Sequence, residues 1–195
     1  MRKKRIAIFA SGSGTNAERI MSHFMNHETG EVFIVLSNKP DAQVLERAAR
    51  FNVNTRVFDR ETFKNTDKIP DLLVSMEIDL VVLAGFLWLI PPGLIRAFPE
   101  RIVNIHPALL PKYGGKGMYG SHVHEAVIAN GEKESGISIH YVNEVYDDGK
   151  IILQAKCPVE SGDTAEILAQ RIHKLEYQHY PLVIEKLLEE AEPGI

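Results

Sequence analysis

The sequence predicts an α/β fold: a doubly wound, mostly parallel open sheet with an antiparallel edge hairpin and a long C-terminal helix. Three observations carry that expectation. Up to residue 106, continuous apolar runs alternate with helical patterns, which is how a parallel sheet covered on both faces reads. Beyond that point, two strand-like runs are joined by Asn143–Lys150, a connection too short for a crossover helix. A capped helical pattern then runs from about 163 toward 190.

Taken in order, Arg5–Ala10 is an apolar, β-branched run that stops at Ser11-Gly12-Ser13-Gly14-Thr15-Asn16. A helix follows with Ile20, Met21 and Phe24 on one face. Val32–Leu36 is a second strand, ended by Asn38-Lys39-Pro40-Asp41, and Val44–Phe51 reads as a helix. Val53–Phe58 is a weaker strand and Asp67–Met76 another helix. Leu80–Ala84 and Arg101–His106 are two further strands. Pro107–Gly120 is a loop rich in Pro, Gly, Lys and Tyr, and His122–Asn130 a short helix. Gly136–Val142 and Ile151–Pro158 form the expected hairpin. Asp163-Thr164-Ala165-Glu166 has capping-box spacing, with Asp163 as the cap, and opens the last helix. Residues 191–195 are expected to fray.

A chain of 195 residues suits one domain with its own core. The formal net charge is -4 and the pI about 6.1, without the basic surplus of a nucleic-acid binder. Arg2-Lys3-Lys4-Arg5 reads as a solvated strand entry. Cys157 is the single cysteine, so no intrachain disulfide can form, which fits a reducing compartment. No apolar run is long enough to span a bilayer. The N-terminus reaches a polar turn too soon for a secretory signal. A cytoplasmic protein is expected, with small-molecule ligands and no nucleic-acid or membrane partner.

The Ser11–Asn16 turn joins a strand to a helix, and backbone N–H groups at such a junction bind phosphate. It lacks the third glycine of a dinucleotide fingerprint and the Lys-Ser/Thr of a nucleoside-triphosphate loop. It suits a small phosphomonoester, or it is an ordinary tight turn. Asn104 and His106 stand two apart at a strand end, so period-two alternation points both to one face. Ligands sit outside the carboxyl ends of strands in open α/β sheets. Asp147 lies in an Asp-Asp-Gly turn and bears on function only if its loop folds toward His106. His122-Val123-His124 is too sparse for a metal site, and none is expected.

Together these segments resemble the phosphoribosylglycinamide formyltransferase family, the folate-dependent transformylases of purine synthesis. The resemblance rests on Ala10–Asn16, Leu36–Lys39, Val81–Phe86, Asn104–Tyr113, Gly136–His140 and Ile151–Ala155. It implies a single domain over residues 1–195. The part up to about 106 would bind the phosphorylated amine, and the remainder would help form the folate site. Gly14, Thr15 and Asn16 would hold the phosphate of glycinamide ribonucleotide, and Glu176 its ribose. Arg60, Leu87, Trp88, Leu89, Ile90 and Asn104 would meet the folate. Leu87 to Ile90 would do so mainly through backbone groups, and Arg60 near the glutamate tail. Asn104, His106 and Asp147 would be the catalytic trio. N10-formyltetrahydrofolate would be the formyl donor, with no metal, in a monomer or homodimer.

The sequence departs from the family pattern in places. Trp88 stands where Arg is frequent, Asp148-Gly149-Lys150 replaces a commoner Gly-Gly-Pro, and Gly114–Gly120 is longer than the usual connection. The resemblance further implies that Asn104 and a protonated His106 donate to a developing oxyanion, with Asp147 raising the His106 pKa. The rival readings are a formyltetrahydrofolate hydrolase, a methionyl-tRNA formyltransferase and a non-catalytic nucleotide-binding module. The first family usually adds an N-terminal domain, against which a first strand at residue 5 counts, and the second a C-terminal nucleic-acid-binding one, against which an early end and an acidic chain count. The trio counts against the third.

Overall fold

A computed structural model describes residues 2–190. The first four strands are β1 (Lys4–Phe9), β2 (Gly30–Ser37), β3 (Asn54–Val57) and β4 (Leu80–Leu83). The other three are β5 (Ile102–His106), β6 (Glu134–Tyr141) and β7 (Ile151–Pro158). Around them lie α1 (Thr15–Phe24), α2 (Gln43–Arg50), α3 (Arg60–Asn65), α4 (Lys68–Ser75), α5 (Pro92–Ala97), α6 (Ser121–Ala129) and α7 (Ala165–Glu190). The expected class is observed. One sheet runs β3-β2-β1-β4-β5-β6-β7, parallel through β5 and antiparallel from β5 to β7.

Both faces of the sheet are covered, which is why its central strands can be apolar throughout. Ile6, Ile8, Val82 and Val103 point to one core, together with α1, α2 and α7. Ala7, Phe9, Val81 and Leu83 alternate with them into a second core under α3, α4 and α5. A side chain of that size adds roughly 1.5–3 kcal/mol when fully buried. The long helix is also tied by a polar contact: the buried Tyr180 hydroxyl donates to the Leu83 carbonyl at 2.9 Å and lies 3.2 Å from that of Val103.

Two helices lie outside the sequence reading. α3 is short, and its signal is the Asp59 cap, whose carboxylate accepts from the Thr62 amide at 2.7 Å. α5 begins in Pro91-Pro92-Gly93, residues that read as breakers, yet Pro is favoured in a helix's first turn because no N–H is needed there. The start of α7 corrects the expected capping box by one residue. Thr164, not Asp163, accepts from a first-turn amide, that of Ile167 at 3.3 Å. Asp163 instead pairs with Arg171, with a nitrogen-to-oxygen distance of 2.6 Å. The expectation of fraying at 191–195 falls outside the described residues.

β1 pairs with both β2 and β4, so chain connections leave it in opposite directions. The crevice at the carboxyl ends of β1 and β4 is where such a sheet accepts ligands. Among the described residues, no helix is long and apolar enough to cross a membrane.

Candidate active site

A cavity of about 580 Å³ opens at that crevice. Its walls include Ser13–Asn16 after β1, Ala84–Leu87 after β4, Asn104–Pro107 at the end of β5, Gly115–Gly120 and His124 of α6, Tyr146-Asp147, and His173 and Glu176 of α7. All three residues of the expected trio therefore face one space.

At one end lies the turn after β1. Gly14 adopts φ 72°, which suits glycine, and a Cβ there would collide with Val44 of α2. Gly14 is thus required by the packing of α2 on the turn, so a Gly14→Val change tests folding as much as ligand binding. No side chain caps α1, which leaves its first-turn amides to be satisfied from outside. The Asn16 amide donates to Glu176 Oε2 at 3.0 Å, and the Asn16 Oδ1 is buried without a partner. Glu176, buried on α7, also meets His173 Nδ1 at 2.8 Å. That hydrogen bond outweighs partial burial and raises the His173 pKa above its ordinary value. His124, 4% exposed, has an Nδ1 with no partner. Burial holds the His124 pKa below its ordinary value.

At the other end stand Asn104, His106 and Asp147. His106 Nε2 lies 2.7 Å from the Tyr113 carbonyl, which can only accept, so the ring's proton sits on Nε2 when it is neutral. Nδ1 then faces Asp147 Oδ2 at 3.5 Å. The sequence expectation that Asp147 raises the His106 pKa above normal is corrected here. Burial lowers it by more than the Asp147 carboxylate and the Tyr113 carbonyl raise it, so His106 rests below 6.5. Burial pushes the Asp147 carboxyl up, but the neighbouring His140 imidazole, His106 and the Gly115 amide at 2.9 Å hold it below the ordinary carboxylate value. The site at neutral pH is a carboxylate facing a neutral imidazole.

The backbone explains how Asp147 reaches this position. It takes φ 54°, a left-handed turn conformation that Asp tolerates. Gly149 passes so close to the Tyr141 carbonyl that any Cβ would overlap it. The Asp147-Asp148-Gly149 turn thereby folds the hairpin loop back over the strand ends.

Two residues that the sequence reading left without a role hold this arrangement. His140, opposite Asn104 in the β5–β6 ladder, has Nδ1 at 2.8 Å from the Tyr141 carbonyl. In the neutral ring its Nε2 is therefore an acceptor, and Asn104 Nδ2 donates to it at 3.2 Å. That contact orients the Asn104 amide and leaves its second N–H for the cavity. Ser138 Oγ donates to the Ala108 carbonyl at 2.7 Å and accepts from the Leu110 amide at 2.9 Å, fixing the loop after β5. The signal for both was period-two spacing on the strand beside Asn104.

The expected folate residues are only partly brought together. Leu87 lines the cavity and is 41% exposed, with its amide held by Ser11 Oγ at 3.2 Å. Trp88 packs beside Phe58, Phe63 and Phe86, and Arg60 lies over it at 5.9 Å from the ring centroid. Ile90 is 2% exposed in the second core. Arg60, Trp88, Leu89 and Ile90 do not line the cavity walls.

His122 is exposed and His124 is buried on α6. Among the described residues, one group has metal-ligand spacing: His23, His27 and Glu185, in the seam between α1 and α7. Both imidazoles sit on the Glu185 carboxylate, at 2.8 and 3.1 Å. His27 Nδ1 accepts from the Thr29 amide at 3.3 Å, which leaves its Nε2–H to donate. Hydrogen bonding accounts for that cluster.

The site thus has an uncapped helix start with free backbone amides at one end and an amide, an imidazole and a carboxylate at the other. The formyl transferase family profile matches residues 4–184, and the chain belongs to that family. Its relatives there carry a more particular name. The chain is 40% identical to the chloroplastic phosphoribosylglycinamide formyltransferase of Arabidopsis thaliana, over 97% of its own length and 67% of the relative's. It is 36% identical to the phosphoribosylglycinamide formyltransferase of Bacillus subtilis, over 95% of each chain. The crystal structure of the Bacillus halodurans phosphoribosylglycinamide formyltransferase superposes with a TM-score of 0.86, at 40% identity over 97% of both chains. The chain spans about two thirds of the length of the plant relatives it matches.

Proposed function

We propose that this chain transfers the formyl group of N10-formyltetrahydrofolate to the primary amine of glycinamide ribonucleotide. The observation that carries the proposal is the convergence of Asn104, His106 and Asp147 on one cavity whose other end is the α1 amide turn. Gly14, Thr15 and Asn16 receive the phosphate, and the Glu176 carboxylate accepts from the ribose hydroxyls. The exposed side chain of Leu87 and the backbone after it offer the folate an apolar, edge-reading wall. Trp88 and Ile90 back that wall from the second core, with Arg60 over the Trp88 ring, and the Leu89 and Ile90 backbone would meet the folate beyond the cavity walls.

The residues divide the chemistry. The free N–H of Asn104 donates to the formyl oxygen as negative charge develops on it. A donor placed there contributes about 10²–10³ in rate. Neutral His106 takes the proton from the attacking amine at Nδ1, while its Nε2–H stays on the Tyr113 carbonyl. Asp147 stabilises the imidazolium so formed, and the same proton then passes to the leaving folate nitrogen. General acid–base help of this kind contributes roughly 10²–10⁴. Holding amine and formyl carbon together in one cavity contributes through proximity. No step needs a metal or a covalent enzyme intermediate.

A direct test follows loss of the formyl group by absorbance, with and without glycinamide ribonucleotide. Turnover that depends on the ribonucleotide is expected. Equal turnover without it assigns the chain to formyltetrahydrofolate hydrolysis, and no turnover with either assigns it to ligand binding without catalysis.

A further inference from the structure

The cavity has a charge problem that its known parts do not solve. Its walls carry two carboxylates, Asp147 and Glu176. A phosphomonoester adds roughly -1.5 to -2 at neutral pH. His106 and His124 are pushed toward the neutral form by burial, and the positive charge favoured on His173 is matched by the Glu176 carboxylate that raises its pKa. Backbone amides offer only partial charges.

Among the residues lining this space, the one Lys or Arg is Lys116. It is exposed, and among the described residues no carboxylate pairs with it. It sits between Gly115 at φ 95° and Gly117 at φ 91°. Neither glycine has a neighbour near its Cβ position, and the Met118 amide donates to the Gly115 carbonyl at 3.1 Å, so the turn holds Lys116 at its exposed tip. One end is anchored, because the Gly115 amide donates to Asp147 Oδ2. The other end runs through Gly120 into α6, which carries the unpartnered His124 beside the phosphate end of the cavity. The strap, Lys116 included, thus lines the same cavity as the trio and the α1 turn.

We infer that Lys116 is the cation that neutralises the substrate's phosphate, delivered by the Gly114–Gly120 loop as it settles over the bound ribonucleotide. This rests on the reading of the substrate as a phosphorylated amine and adds a specificity-determining residue to it. The Gly115–Asp147 hydrogen bond lets the phosphate-sensing loop and the catalytic carboxylate move together. A substrate without phosphate leaves Lys116 without a partner and the loop open.

The test compares wild type, Lys116→Met and Lys116→Arg on glycinamide ribonucleotide and on the corresponding ribonucleoside, which lacks the phosphate. Lys116→Met keeps the aliphatic stem and removes the charge. The expected result is a rise of about tenfold or more in KM for the ribonucleotide, as fits loss of a charge-assisted contact. KM for the folate donor stays within about twofold, and Lys116→Arg restores most of the loss. With the ribonucleoside, wild type and Lys116→Met should be equal. An equal rise for both substrates, a rise in folate KM instead, or no change at all overturns the assignment. Inorganic phosphate binding, followed by ³¹P NMR titration, gives a readout independent of turnover. If wild type fails to use the ribonucleotide, the proposed function falls. Weaker phosphate binding by Lys116→Met would even then uphold the cation's role, and equal binding would end it.

Discussion

The two ends of the cavity are built in opposite ways. The proposed anion end is local in its amides, while Glu176 and His173 join it from α7. Its amides come from one strand–turn–helix unit, Phe9 to Asn16, and its geometry follows from glycine conformation and an uncapped helix start. The transfer end is assembled from distant pieces. Asn104 and His106 come from β5, Asp147 from the β6–β7 loop, and the Tyr113 carbonyl from the loop after β5. Backbone groups do most of the work at the first end, and side chains held by other side chains at the second. Substitutions should therefore affect KM at the anion end and kcat at the transfer end.

The sharpest break of that division is His106→Ala. It should lower kcat by about 10²–10⁴ and leave the ribonucleotide KM within a few-fold. Steady-state kinetics on protein with an unchanged melting temperature checks it, and a loss confined to KM would erase the distinction between the ends.

Asp147→Asn comes next, with a loss of about 10² in kcat. It also has a pH signature. His106 is already below its ordinary pKa, and Asp147 raises it. Removing that charge moves the His106 pKa further down, not back toward 6.5. With the neutral ring as the proposed base, the acid limb of the rate profile should shift to lower pH while the plateau falls. NMR titration of the imidazole provides an independent check, and an unshifted His106 would show that the pair is uncoupled.

Glu176→Gln tests the other end. KM for the ribonucleotide should rise by about tenfold through loss of a charge-assisted contact, with kcat changed little. The His173 pKa, raised chiefly by its hydrogen bond to Glu176, should drop. A large fall in kcat would mean that the two ends are not separable.

Stability should also depend on the buried rings. His106 and His124 have folded pKa values below the unfolded value of about 6.5. The unfolded chain then binds more protons as pH falls through 6.5, so stability is full above that value and declines below it. Chemical denaturation at pH 5 and 7.5 reads this directly, and the decline should shrink in His124→Gln. The smallest effect belongs to a site outside both ends. Thr164→Ala removes the α7 cap and should cost about 1 kcal/mol, with both kinetic constants unchanged.

The alternation of apolar runs, the glycine turn and the Asn104–His106 spacing were legible as sequence. Each depends on contacts between near neighbours: the alternation of side chains along a strand, the φ freedom of glycine, the amides of a helix start. The parallel part of the fold and the turn after β1 therefore follow from residues 5–106 read in order. The local reading failed where several local solutions compete. At 163–164 either residue could cap a helix, and Asp163 is drawn away by Arg171. At 91–93 the same prolines that end one segment begin another.

What only the tertiary structure decided is how the transfer end is joined. No spacing in the sequence says that Asp147 folds back on His106, that His140 turns the Asn104 amide, or that Tyr113 fixes the imidazole's proton. Nor does any spacing set the sign of the His106 shift. The nearby carboxylate was visible as a candidate, but the burial that outweighs it was not. Desolvation depends on everything packed around a group, including α6 and α7 from far along the chain, and it exists only once the chain has closed around the ring.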